Sequence, residues 1–209
     1  MYLPAHFEES RPAVLHQALR DHPLGLLVTH GASGLAANPL PFLLDVEADG
    51  SQVLRGHVAR ANPLWRDADG TASLVVFQGP QAYVSPAWYA SKAETGKVVP
   101  TWNYVMVQAR GVLRAVDDAA WLHAFVSRIT ARHETPRAAP WAVTDAPADY
   151  IATMLRAIVG IEIRVESLAG KWKVSQNRSA ADREGVAQGL AEAGGEDASA
   201  MAGLVSNIG

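Results

Sequence analysis

Short hydrophobic runs separated by turn residues fill the first third of the chain. Strand-like runs of this kind occupy residues 24–30, 35–44, 52–58 and 72–78. The turn residues between them are Gly31, Gly34, Asp49-Gly50 and Asp69-Gly70. Glycine and aspartate adopt the backbone conformations that tight turns require. This regular spacing favours a β-barrel or a β-sandwich over a parallel α/β sheet.

Further along the chain, strand and helix patterns alternate. Residues 102–116 predict one long strand or a bent pair, with positions 102, 104, 106, 108 and 110 on one face and 105, 107, 109 and 113 on the other. Helices are predicted from Ser10-Arg11-Pro12 to Asp21, after Asp117-Asp118, and over residues 148–158, which lead into a strand at 160–167. We predict one α+β domain, mainly β with flanking helices, over residues 1–179. A helical acidic C-terminal tail, residues 180–209, is expected to pack on the same domain.

Composition and charge exclude several classes of protein. The chain has no cysteine, which excludes a disulfide scaffold, a thiolate nucleophile and a cysteine-ligated zinc or iron–sulfur site. From residue 180 onward there are five acids and one arginine, whereas the remainder has seventeen basic and sixteen acidic residues. This distribution does not predict a basic nucleic-acid-binding face. Neither a signal peptide nor a run of ~20 apolar residues is present, so we expect a cytoplasmic protein.

Common catalytic and nucleotide-binding motifs are missing. The sequence has no GxGxxG, GxxxxGK[ST], GxSxG or HExxH pattern. Its seven histidines are scattered, and His123 and His133 are too far apart to ligate one metal from a single helical turn. A metal site is therefore not predicted, and no catalytic residue identifies itself.

Two segments near the predicted strands place polar groups where a ligand could bind. Residues 37–41 interrupt a strand with two prolines, which predicts either a pocket wall or an ordinary edge strand. In residues 54–63 a β run gives way to Arg60 and Asn62 before a helical turn near Pro63. An arginine and free backbone N–H groups at such a junction suit a phosphate monoester, and the alternative is a solvated loop.

Two later segments combine aromatic side chains with amides. Residues 99–104 place Trp102 and Tyr104 around Asn103, and residues 171–178 repeat this composition with added positive charge. A planar heterocycle needs apolar faces for stacking and amide-like groups at its edge. Either segment could instead be a core tryptophan beside a solvated basic loop.

Taken together, these segments resemble the PaiB family, the FMN-binding negative transcriptional regulators. The matching stretches are MYLPAHF at the start, NPLPFLL at 38–44, RGHVARANP at 55–63, the region from FQGPQAYVSPAWYASK to VPTWNYVMVQARG, GKWKVSQNR at 170–178 and DREGVAQGL in the tail. The match covers nearly the whole chain, and its long central stretch is highly specific.

The resemblance implies an FMN-binding split β-barrel that assembles as a homodimer, with two equivalent flavin sites at the subunit interface. It assigns the phosphate and ribityl end of FMN to His57, Ala59, Arg60 and Asn62. Asn38 and Leu40 would run beneath the flavin ring. The resemblance also implies that Trp102, Asn103 and Gln108 approach the flavin from the partner subunit. The residues expected to complete the site are Trp172, Lys173, Gln176 and Arg178. Positive charge from Lys173 or Arg178 would stabilise the reduced, anionic ring.

Three functions follow from this resemblance. The first is a regulatory flavoprotein with DNA or a regulatory protein as partner, although no helix-turn-helix pattern is present. The second is an FMN-dependent oxidoreductase that uses a nicotinamide or another reductant, with His57 and Tyr104 as candidate acid–base groups. The third is haem binding through His6, His22 or His30, although nothing in the sequence pairs these with a porphyrin pocket.

Overall fold

Eight β-strands and seven α-helices make up residues 1–31 and 34–208, the part of the chain that this computed structural model describes. The strands are β1 (Glu8–Glu9), β2 (Leu24–Gly31), β3 (Gly34–Pro41), β4 (Leu43–Val46), β5 (Gln52–Ala59), β6 (Ala72–Val84), β7 (Thr101–Val116) and β8 (Ile158–Lys173). The helices are α1 (Pro12–Asp21), α2 (Leu64–Asp67), α3 (Ser91–Thr95), α4 (Ala119–Glu134), α5 (Ala148–Arg156), α6 (Ala180–Ala193) and α7 (Glu196–Ser206). Three 3-10 turns add Ala5–Phe7, Pro86–Trp88 and Val143–Asp145. Across these described residues, no helix has both the length and the apolar character needed to cross a membrane.

The strands belong to one sheet with the order β3-β2-β6-β7-β8-β5-β4, and β1 pairs with β8. The pairs with a defined register are all antiparallel, among them β2 with β3 from Leu24↔Pro41 to Gly31↔Gly34. Gly34 has a φ of +95°, which suits the predicted turn, whereas residues 32 and 33 at its centre lie outside the described part of the chain. The predicted α+β class, with a large antiparallel sheet and flanking helices, is confirmed.

Strong sequence periodicity predicts the local structure well. Along β7 the side chains alternate between exposed or half-buried and buried positions, so the two predicted faces are confirmed. Helix α4 begins after Asp118, whose side chain accepts a hydrogen bond from the Trp121 N–H at 2.6 Å. Helix α1 ends at Asp21, as predicted. The long strand and these two helices therefore follow from local pattern.

The prediction of one strand over residues 35–44 is wrong, because the strand breaks at Phe42. Pro41 is the last residue of β3, and the Phe42 N–H then donates to the carbonyl of Pro23 at 2.9 Å. The chain continues as β4, which pairs with β5 instead of β2. Strand β3 pairs with β2, whereas β4 pairs with β5. Because both segments are similarly hydrophobic, the local sequence pattern does not indicate this change of partner.

Three other predicted boundaries also need correction. Strand β6 continues past residue 78 to Val84, and β8 continues past residue 167 to Lys173. Helix α5 ends at Arg156, two residues earlier than predicted. The extension of β8 is stabilised by β1, because Glu8 and Glu9 pair with Lys171 and Gly170. Backbone pairing across the sheet thus overrides the weak alternation at the ends of these strands.

The described chain groups into two compact units, and β6, β7 and β8 contribute residues to both. Unit 1 contains residues 1–22, 77–108 and 169 onward, and unit 2 contains residues 23–76 and 109–168. In unit 1, the tail helices α6 and α7 pack on strand residues through one core of ten buried side chains: Ala82, Val84, Tyr89, Val105, Val174, Val186, Leu190, Met201, Ala202 and Val205. In unit 2, Leu43, Phe125 and Ile129 form a core cluster beneath α4.

Candidate functional site

In unit 2, two predicted site residues hold each other directly. The side-chain N–H of Asn62 donates to the Asn38 side-chain oxygen at 2.9 Å. The Asn62 oxygen accepts from the Leu64 N–H at 3.0 Å, which fixes the start of α2. Leu40 lies two residues along β3 from Asn38 and is buried. The two amides therefore have defined orientations beside an apolar strand residue.

Arg60 is already engaged inside unit 2. Its guanidinium donates to both carboxylate oxygens of Asp117 at 2.7 and 2.6 Å, and to the carbonyls of Arg156 at 2.6 Å and Ile158 at 3.0 Å. The hydrogen bonds from Arg60 lower the pKa of Asp117, and the same contact raises the pKa of Arg60. Because a guanidinium has five N–H groups, these four hydrogen bonds leave one for a ligand.

His57 and Ala59 occupy alternate positions at the end of β5, so they lie on the same face of that strand. The His57 ring packs edge-to-face on Phe125, with 5.7 Å between ring centroids, and burial lowers its pKa. Within the described residues, its buried Nδ1 atom has no hydrogen-bond partner. A neutral imidazole with an unsatisfied nitrogen is a group that a ligand or a water molecule could satisfy.

In unit 1, the exposed face of β7 carries further predicted site residues. Trp102 is 54% exposed and packs edge-to-face on Tyr83 at 6.1 Å. A cavity of about 250 Å³ lies on this face, lined by Gln78, Gln81, Trp102, Tyr104 and Met106. Gln108 is half-buried on the same face of the strand. The cavity thus combines flat aromatic walls with amide side chains.

Asn103 points to the other face of β7 and is buried at 1% exposure. Its amide donates to the Ser175 hydroxyl at 2.9 Å, and Ser175 adopts a left-handed φ of +71°. Such a conformation is uncommon for a residue with a side chain. The Asn103 hydrogen bond therefore fixes the loop that follows β8, and the residue does not share a face with Trp102 and Gln108.

The segment after β8 carries the remaining predicted residues. The Lys173 amine donates to the Thr101 hydroxyl at 2.7 Å and to the Trp102 carbonyl, and its pKa is lowered by burial and by the charges of Lys171 and Arg178.

The Gln176 side chain forms hydrogen bonds with nearby backbone groups. It accepts from the Val174 N–H at 2.8 Å and donates to the Trp172 carbonyl. The Arg178 guanidinium lies 4.4 Å from the centroid of the Tyr89 ring. Trp172 lines a separate, mainly apolar cavity of about 630 Å³ against α1 and α7.

Several residues at these sites were not assigned from the sequence. Gln78 and Gln81 are three residues apart on β6 and would fall on opposite faces of a regular strand, yet both line the cavity beside Trp102. The Gly79-Pro80 step between them interrupts the alternation, and a proline inside a strand was the available signal. Asp117 could be found only through its contact with Arg60, which lies 57 residues earlier in the chain.

The fold has counterparts among solved flavoproteins. The FAD and haem binding protein from Mycobacterium smegmatis matches 79% of this chain and 73% of its own, with a TM-score of 0.58 and 15% identity. The flavocytochrome Anf3 from Azotobacter vinelandii matches with a TM-score of 0.57, 12% identity, and 79% and 69% coverage. These similarities define the class as an α+β protein built on one large antiparallel sheet.

Sequence comparison identifies the family. The protein-family model described as "Putative FMN-binding domain" matches residues 1–167 of the sequence. The chain therefore belongs to this family. The protease synthase and sporulation protein PAI 2 of Bacillus subtilis is 29% identical over 99% of this chain and 97% of its own. The uncharacterized protein AN0679 of Emericella nidulans is 36% identical over 100% and 98%. The PaiB-type resemblance found in the sequence is confirmed.

Proposed function

We propose that this protein is a flavoprotein that binds FMN without a covalent bond. The observation that carries the proposal is the family match over residues 1–167, which includes the Asn38–Asn62 amide pair and the aromatic face of β7. The donor set suits the cofactor, because amides and aromatic faces complement a flat heterocycle and cations complement a phosphate. The buried Nδ1 of His57, which has no hydrogen-bond partner among the residues that the structure describes, adds a group that a ligand could satisfy.

Arg60 and Asn62 would hold the phosphate and ribityl end, Asn38 would lie beneath the flavin ring, and Trp102 and Gln108 of the partner subunit would contact the ring. Bound FMN would supply a ring that accepts and returns reducing equivalents. Arg60 acts in part as a positioning residue, because its contacts with Asp117 and two carbonyls hold the turn that carries Asn62.

Absorbance and mass analysis of the purified protein, followed by FMN titration, tests the proposal. We expect a yellow protein that releases FMN, and a Trp102→Ala variant with about 2- to 10-fold weaker binding, since an aromatic contact of this kind is worth ~0.5–1.5 kcal/mol. Trp141→Ala is the matched control, because Trp141 is also exposed but lies outside the candidate site. A colourless protein that takes up no added FMN would contradict the proposal.

We also propose that the protein is a homodimer. The support is an apolar face on unit 2, where Leu26 lies opposite Pro39 on β3 and Val76 on β6, and Val28 lies opposite Ala37 and Leu74. Leu24 and Leu35 on the same two strands are 64% and 78% exposed. A contiguous apolar face that is exposed on neighbouring strands is typical of a protein–protein contact, and a second copy is its proposed occupant.

Light scattering tests the dimer directly. Leu26→Glu should produce monomers, whereas Val46→Glu, an exposed apolar residue on β4, should leave the dimer intact. A monomeric wild-type protein would refute this part of the proposal.

Regulation of gene expression is the role that we propose for the flavoprotein. The support is the PaiB-type resemblance and the similarity to the protease synthase and sporulation protein PAI 2 of Bacillus subtilis. Because no basic face is predicted, we expect regulation through a partner or through flavin-dependent sensing. DNA-binding assays at low and physiological salt should then detect no salt-sensitive binding, and strong salt-sensitive binding would establish direct repression instead.

The second candidate function is an FMN-dependent oxidoreductase. The 250 Å³ cavity beside Trp102 and Tyr104 favours it, because a small substrate could bind there. Flavin reduction driven by NADH or NADPH is the discriminating assay, and a slow rate without preference for either reductant would count against an enzyme.

A further inference from the structure

Asp117 occupies N–H donors of Arg60, the residue that the sequence predicted as a phosphate ligand. Its two carboxylate oxygens accept from the two terminal guanidinium nitrogens at 2.7 and 2.6 Å. A guanidinium offers the same pair of parallel hydrogen bonds to a phosphate. The carboxylate therefore takes donors that a bound phosphate would otherwise use.

Arg60 is also held in place by contacts other than this ion pair. Its Nε–H donates to the carbonyl of Arg156 at 2.6 Å, and its Nη2 atom donates to the carbonyl of Ile158 at 3.0 Å. The backbone N–H of Arg60 donates to the Ala157 carbonyl at 2.8 Å, and the Trp65 indole donates to the Arg60 carbonyl at 3.0 Å. Loss of the ion pair should therefore free two donors and leave the guanidinium oriented.

Asp117 accepts from no group other than Arg60 in the described part of the chain. It lies between β7 and α4, and the cap of α4 is its neighbour Asp118, which accepts from the Trp121 N–H. The Asp117 side chain is 53% exposed. Asp117 can therefore release Arg60 without uncapping a helix or leaving a buried charge unpaired.

The Arg60–Asp117 ion pair is neutral as a unit, which matters for an anionic ligand. Arg60 lowers the pKa of Asp117, and the charge of Arg66 lowers it further, so the carboxylate is ionised near neutral pH. A phosphate monoester carries more than one negative charge under the same conditions. A phosphate at Arg60 thus meets a like charge and one remaining N–H donor of the five.

We propose that Asp117 competes with the phosphate of FMN for Arg60 and thereby limits how strongly the protein prefers FMN to riboflavin. Asp117 sets this specificity through Arg60 and does not itself bind the flavin. Riboflavin is FMN without the phosphate, so the competition affects FMN alone. The inference rests on the proposed function, because it concerns the phosphate end of the same site.

Calorimetric titration of the full-length protein with FMN and with riboflavin measures this preference. The dissociation constant of riboflavin divided by that of FMN isolates the contribution of the phosphate. We expect Asp117→Asn to raise this ratio by about 2- to 5-fold, because a partly exposed ion pair contributes little. FMN should bind more tightly, whereas riboflavin affinity should stay unchanged. All titrations use one ionic strength, since salt screens exposed charges.

Two comparisons separate competition from other effects of the substitution. Asp149→Asn is the matched control, because Asp149 is an exposed aspartate of unit 2 in the first turn of α5, and it should leave the ratio unchanged. In an Arg60→Gln background, Asp117→Asn should no longer raise the ratio, because the competition acts through Arg60. Thermal melting establishes that each variant is folded. The Asp117→Asn and Asp149→Asn titrations decide the question even if Arg60→Gln does not fold.

Three results would overturn the proposal. An unchanged ratio in Asp117→Asn would show that the carboxylate does not compete, and a lower ratio would show that it holds Arg60 in position for the phosphate. An equal rise in Asp149→Asn would reduce the effect to net charge. In each of these cases FMN still binds, so the proposed flavin function stands. A wild-type protein that binds neither flavin would refute that function and this inference together.

Discussion

Replacement of Gly189 by alanine tests whether the C-terminal tail is built into unit 1. Gly189 is buried in α6, and a Cβ atom at this position would lie 2.4 Å from the ring atoms of Trp88. Overpacking of this kind costs ~1–3 kcal/mol, whereas alanine gains ~1 kcal/mol over glycine from helix propensity. We therefore expect Gly189→Ala to destabilise the protein by up to about 2 kcal/mol, which lowers Tm by up to roughly 8 °C in a chain of this size.

Gly203 in α7 provides the matched control. It is exposed within the helix, and a Cβ atom there would meet nothing within 4 Å. Gly203→Ala should therefore raise Tm by roughly 2–4 °C through helix propensity alone. Differential scanning calorimetry of the two variants and the wild type gives the comparison. If Gly189→Ala melted at or above the wild-type temperature while Gly203→Ala behaved as expected, the close contact between α6 and Trp88 would be refuted.

Two further predictions concern buried polar groups. Burial lowers the pKa of His57, so the unfolded chain binds a proton more readily, and the free energy of unfolding should fall as pH drops below about 6.5. His57→Leu should flatten that dependence in melts between pH 5.5 and 7.5, and an unchanged slope would contradict the assignment. Asn103→Ala should cost ~1–3 kcal/mol in urea denaturation, because it leaves the buried Ser175 hydroxyl without this partner. Ser85→Ala, at an exposed cap, should cost less, and equal losses would argue against a special role for the buried pair.

The candidate site could be predicted from sequence only in part. The resemblance identified its segments, and all thirteen predicted residues lie in them, but it could not establish how each side chain is used. Arg60 was predicted as a phosphate ligand, and the structure shows that its guanidinium also makes four hydrogen bonds to Asp117 and to two backbone carbonyls. Gln176 is likewise bonded within its own loop. Whether these residues also contact FMN stays a prediction.

Local sequence determined the elements with strong periodicity. Three features depend only on residues a few positions apart: the alternation along β7, the Asp118 cap of α4 and the apolar stripe of α1. These elements could therefore be predicted from the local sequence and the geometry of strands and helices. The absence of cysteine also excluded a thiolate nucleophile and cysteine-ligated metal sites without any structure.

Only the tertiary structure decided which distant residues meet. Strand β3 ends at Pro41, and β8 extends to Lys173, where it pairs with β1. Asn103 forms a hydrogen bond with Ser175, which lies 72 residues further along the chain. The physical reason is that sheet pairing and buried hydrogen bonds act between positions far apart in sequence, where local propensity and periodicity have no influence.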